Sequence, residues 1–97
     1  MTINETVKWF NSIFDINRNN NQEKKDDFGI GLTSDIECLK QKNSNIKLLG
    51  FTQCNNLDVA QKLIECMQKE GFEIKQEESI EKNVPHVFVY LYKKELQ

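Results

Sequence analysis

The stretch Thr6-Val7-Lys8-Trp9-Phe10-Asn11, TVKWFN at residues 6–11, decides the fold class of this 97-residue chain. Alone it has the β-branched and aromatic content of a strand. Its flanks give another period. Thr2-Ile3-Asn4-Glu5 is a capping box, in which a Thr hydroxyl and a Glu carboxylate each satisfy the other's free backbone amide at a helix start. Ile3, Val7, Phe10 and Phe14 then share one helical stripe, with Trp9, Ile13 and Ile16 beside it. Residues 2–17 therefore read as an amphipathic helix, and Trp9 and Phe10 as its core anchors.

With a helix first, the remainder reads as α+β. The polar run NRNNNQEKKDD (17–27) lacks apolar periodicity and is expected to be a mobile loop, 18–27 in particular. In FGIGL (28–32), Phe28, Ile30 and Leu32 point to one face of a strand, and Gly29 and Gly31 to the other. Strand glycines mark a close approach, here by a packed helix or a bound ligand. Ser34-Asp35-Ile36-Glu37 is a second capping box, opening a short helix to about Lys42 with Ile36 and Leu39 buried. IKLLGFT (46–52) is apolar on both faces, which predicts a central strand.

Asn56 caps a helix to about Glu70. Leu57, Ala60, Leu63, Ile64 and Met67 form its inward stripe, and Gly71 its left-handed stop. The pairs Asp58–Lys62 and Glu65–Lys69 lie four apart on its outer side. FEIKQEES (72–79) starts a third strand, and EKNVP (81–85) turns the chain. In HVFVYLYK (86–93), Val87, Val89 and Leu91 share one face of a last strand, and His86, Phe88, Tyr90 and Tyr92 the other. The expected order is helix, strand, helix, strand, helix, strand, strand. It forms a single domain over 1–97 with a small three- to four-stranded sheet covered by helices.

Composition narrows the function. Thirteen basic and fifteen acidic residues leave a net charge of -2, and Arg18 is the lone arginine. Arginine reads phosphate and guanine bidentately, so this balance disfavours nucleic acid as a partner. No run approaches a membrane span, the N-terminal residues do not read as a signal peptide, and three unevenly spaced cysteines fit a reducing cytoplasm. Cys38, Cys54, Cys66 and His86 lack the paired spacing of a zinc site and read as small buried hydrophobes and a structural histidine. No cofactor or metal is expected.

Two families share letters with the chain. TVKWFN also opens the first strand of cold-shock domains, but Asn11 leads into Ser12-Ile13-Phe14-Asp15-Ile16, which continues the helical stripe, and the helix at 57–70 is foreign to an all-β barrel. FGIGLTSDIECLKQKN (28–43) resembles the second strand and following helix of GIY-YIG nucleases, with Gly31, Thr33, Asp35 and Asn43 at compatible places. NNLDVAQKLIECMQKEG (55–71) is similar to the helix that carries that family's metal-binding Glu, and the resemblance spans about 28–93. It implies a metal-assisted DNA endonuclease using strand tyrosines, a helix Arg and a Glu. In this chain Phe28 or Gly29 stands at the tyrosine position, Cys38 or Leu39 at the Arg, and Ile64 takes the inward place that Glu65 would need. The resemblance therefore implies a degenerate, non-cutting member.

The reading that results is a small non-catalytic binding module, a protein-interaction, accessory or inhibitor protein of the kind phages and mobile elements encode. Its expected contacts are the charged stretch Glu73 to Lys82, with Lys75, Glu77 and Glu78, together with the Asn-rich loop and the Gly29/Gly31 face. The alternatives are the GIY-YIG-like nuclease and single-stranded nucleic-acid binding by Tyr90 and Tyr92 with Lys93 and Lys94.

Overall fold

A computed structural model describes residues 2–18, 27–37, 39, 46–74 and 87–94. It is an α+β fold, with a helix first and two helices packed on a four-stranded mixed sheet. The elements are α1 (Ile3–Asn17), β1 (Phe28–Thr33), β2 (Ile46–Cys54), α2 (Leu57–Lys69), β3 (Glu73–Ile74) and β4 (Val87–Lys94). Ile36, Glu37 and Leu39 are helical, and the Leu39 N–H donates to the Asp35 carbonyl at 3.1 Å. The strand order is β2-β4-β1-β3. β4 is antiparallel to both β1 and β2, and β1 is parallel to β3.

TVKWFN lies within α1, and the Thr2–Glu5 capping box is formed as expected: the Glu5 N–H donates to Thr2 Oγ1 at 3.2 Å. Phe10 and Phe14 are buried, and Phe14 meets Phe28 and Phe72 edge-on with ring centroids 4.8 and 5.8 Å apart. Thr6 is also buried, its hydroxyl returned to the Thr2 carbonyl at 2.9 Å. In α2 the Val59 N–H donates to Asn56 Oδ1 at 2.9 Å, Ala60, Leu63, Ile64 and Met67 face inward, and Gly71 follows at φ 104°. These residues, with Phe28, Ile30, Leu32, Val87, Val89 and Leu91 from the sheet, make the main core. The opposite face carries a smaller cluster of Ile36, Leu39, Tyr90 and Tyr92, flanked by Leu48 and Phe88. Burial of Ile36 and Leu39 agrees with the sequence.

Three expectations need correction. Trp9 is not a core anchor: it is 36 % exposed, resting its ring edge against Gly50. Ile16 does not flank the buried stripe but is 80 % exposed. β2 is an edge strand of the described sheet, not a central one. Its two apolar faces have a different cause. Ile13 and Trp9 cover it on one side at Gly50, and Leu48 joins the tyrosine cluster on the other. The strand is also bulged between Leu48 and Gly50, which puts one more apolar residue into it than simple alternation allows.

The loop at 19–26, the continuation of the short helix past Leu39, the strand and turn over 75–85, and His86 lie outside the described residues.

Candidate interaction surfaces

The glycine face of β1 is occupied by the chain itself. Gly29 is directly opposite Tyr92 and Gly31 opposite Tyr90 in the β1–β4 ladder. Each tyrosine ring lies over its glycine, so closely that a Cβ on Gly29 would overlap the Tyr92 ring and one on Gly31 the Tyr90 ring. The close approach inferred from the glycines is therefore that of neighbouring aromatic rings, rather than of a helix backbone. Tyr90 and Tyr92 are 3 and 4 % exposed, with ring centroids 5.7 Å apart. The signal lies in the spacing: Gly-x-Gly on one strand matches Tyr-x-Tyr on another at the same period of two.

Glu73 sits level with Gly29 across the parallel β1–β3 pair, so the structure brings Gly29, Gly31, Tyr90, Tyr92 and Glu73 onto three adjacent strands. Lys75, Glu77, Glu78 and Lys82 lie outside the described residues. Lys93 is opposite Phe28, on the core side, and its ammonium lies 5.5 Å from the Phe28 ring centroid. It is thus on the other side of the sheet from the two tyrosines. Of the groups tied to nuclease chemistry, Glu65 is exposed on α2 and Ile64 is buried beside it. The buried Thr33 hydroxyl bonds the Asp35 backbone on both sides, accepting from its N–H and donating to its carbonyl, each at 3.2 Å. Asn43 lies outside the described residues.

Comparison with protein-family models, with curated proteins and with solved structures gives no match. The site must therefore be read from its own chemistry. Among the described residues no three His, Cys, Asp or Glu side chains converge as metal ligands would, and no helix is long and apolar enough to cross a membrane.

Two features were missed in the sequence. The first is a set of exposed large apolar residues: Trp9, Ile16, Phe51 at 41 % and Val59 at 37 %. Trp9 and Ile16 are seven apart on α1, which puts them on one side of the helix, two turns from each other. Ile13 lies between them, half-buried. The second is a cleft of about 310 Å³ where the start of α1, the end of β2 and the start of α2 meet, lined by Ile3, Thr6, Thr52, Cys54, Val59 and Leu63 among others.

Cys54 is buried at the wall of that cleft, and burial pushes its thiol above the ordinary value of 9.0. Cys66 is half-buried, and both thiols are free. Alkylation of the folded protein at neutral pH should therefore proceed more slowly at Cys54 than at Cys66, as site-resolved mass spectrometry can show. The linkage has a definite sign. Between the ordinary and the raised value the unfolded chain releases the Cys54 proton and the folded chain keeps it. Stability conferred by the neutral thiol is thus fully present below the ordinary value and falls as pH rises beyond it. A Cys54→Ala variant should lose that alkaline component of a urea-melt pH series; an unchanged alkaline slope would assign it to other groups.

Proposed function

We propose that this chain is a small non-catalytic binding module whose partner is a protein. The observation that carries the reading is the apolar flank of α1, where Ile16 is 80 % exposed and Trp9, one ring edge against Gly50, leaves 36 % of its surface in water on the same side of a capped helix. Isolated exposed apolar residues are ordinary, but a tryptophan and an aliphatic side chain aligned along one helix are the kind of anchors that protein interfaces bury. Burial of Tyr90 and Tyr92 beneath the opposite face, with Lys93 on the core side, favours a protein over stacked bases. The net charge of -2 and the single arginine favour it too. The charged stretch beginning at Glu73 supplies a second, polar contact. The free thiols Cys54 and Cys66 suit the reducing cytoplasm, and the role proposed for the module is that of an accessory or inhibitor protein.

The test is affinity capture from the native host with the wild-type chain and with a Trp9→Lys/Ile16→Asp variant. A specific protein should co-purify with the wild type, and the variant should bind it at least about 30-fold more weakly, the loss expected when a central anchor is removed. Both side chains are exposed, so the variant should remain folded. Co-purification of a small metabolite alone, or of nothing, removes the support for this reading. Undiminished capture by the variant moves the site away from α1.

A further inference from the structure

We propose that the cleft between the start of α1, the end of β2 and the start of α2 is a binding site for a small uncharged molecule that joins a branched aliphatic body to an amide or hydroxyl group. The site is separate from the α1 flank invoked above, since neither Trp9 nor Ile16 lines it.

Size and construction come first. At about 310 Å³ the cleft lies at the lower end of the range for small-molecule pockets, about 300–1,000 Å³. Its walls come from three elements, each fixed by its own contacts. Thr6 is buried and bonded back to the Thr2 carbonyl, Leu63 belongs to the main core, and Cys54 is held in the ladder opposite Val87. Ile3 is packed against the same core. The space is therefore bounded by ordered residues and needs no rearrangement to receive a guest. Its surface is of two kinds. Ile3, Leu63 and Val59, the last 37 % exposed, offer aliphatic contact. Against them stand the Thr52 hydroxyl and the Cys54 thiol, and among the described residues no hydrogen bond engages either side chain. Cys54 is only 4 % exposed, so its S–H is shut away from water with no acceptor. Aliphatic surface facing unengaged polar groups calls for a guest with one apolar and one polar end.

Charge selects a neutral guest. None of the side chains lining the cleft is charged. The N-terminal turns of both helices reach it, through Ile3 of α1 and Val59 of α2. The partial positive charge of two helix starts disfavours a cation. Those same first turns already carry Glu5 and Asp58, which a carboxylate or phosphate guest would meet as like charges. A buried ion of either sign would thus lack a partner, whereas an amide or hydroxyl can bond to Thr52 without one.

Titration of the isotope-labelled full chain, followed by amide correlation NMR, tests it with three probes that share one branched body and differ in charge: isovaleramide, isovalerate and isopentylamine. Isovaleramide should give saturable shifts at the backbone amides of Ile3, Thr52, Cys54 and Val59. The anion and the cation should bind at least about 10-fold more weakly. Thr52→Val, which keeps the shape and removes the hydroxyl, should weaken isovaleramide about 5-fold. Val59→Phe, a change at an exposed position, should fill the cleft and abolish the shifts while the rest of the spectrum stays as in the wild type. The proposal is overturned by the absence of saturable shifts, by shifts centred elsewhere, by equal binding of the three probes, or by binding that survives Val59→Phe. None of these outcomes decides whether another protein is captured through α1.

Discussion

Phe10→Ala should destabilise the protein by about 3–5 kcal/mol in urea denaturation, whereas Trp9→Ala, one residue away, should cost far less. Phe10 is fully buried in the main core, so truncation removes transfer energy and leaves a cavity under α1. Trp9 touches Gly50 with one ring edge and leaves 36 % of its surface in water. For a domain of this length the total stability is about 5–15 kcal/mol, so Phe10→Ala brings the fold near its threshold. Comparable losses for the two variants would mean that Trp9 is seated in the core after all.

Gly31→Val should cost about 1–3 kcal/mol or more, because the new side chain needs the volume of the Tyr90 ring. Gly29→Val should behave alike toward Tyr92. Neither glycine has a positive φ, so the loss would come from overlap with the ring and not from backbone strain. A double-mutant cycle separates this from a general effect of valine in β1. Tyr90→Ala combined with Gly31→Val should be less destabilised than the sum of the singles, with a coupling of about 0.5–3 kcal/mol. Strict additivity would show that Tyr90 does not occupy the notch. Such a cycle also probes the face on which a ligand was expected, since any guest there must first displace a buried tyrosine.

The helices and the two faces of β1 and β4 could be read before the structure because their signals are local. A capping box names a helix start, and alternation names the faces of a strand. Trp9 was misplaced because it sits about 100° around the helix from Phe10, at the margin of the stripe, where composition does not tell rim from core. Thr6 shows the converse: a polar residue goes inside because its hydroxyl finds the Thr2 carbonyl one turn back. Strand order was not legible, since periodicity reports which way a side chain points and not which strand lies alongside. In β2 the apolar count was raised by the bulge at Leu49 and by the Trp9–Ile13 contact on Gly50, and both mimic a strand buried at the centre. The exposed surface was the least legible part. Ile16 and Phe51 look like core residues in any composition measure, and only the tertiary placement of α1 and β2 leaves them in water.

The place of β4 has a consequence for how the chain is made. β1 and β2 share no edge and are joined only by the strand that comes after both of them in the sequence. During synthesis the growing chain would present β1 and β2 as unzipped halves, each with an open side, until residues 87–94 clear the ribosome. α1 can coil as it emerges, but the sheet it rests on closes late, through contacts that span much of the chain. Chaperone protection would matter most in that interval, when the two halves wait for the strand that seams them together.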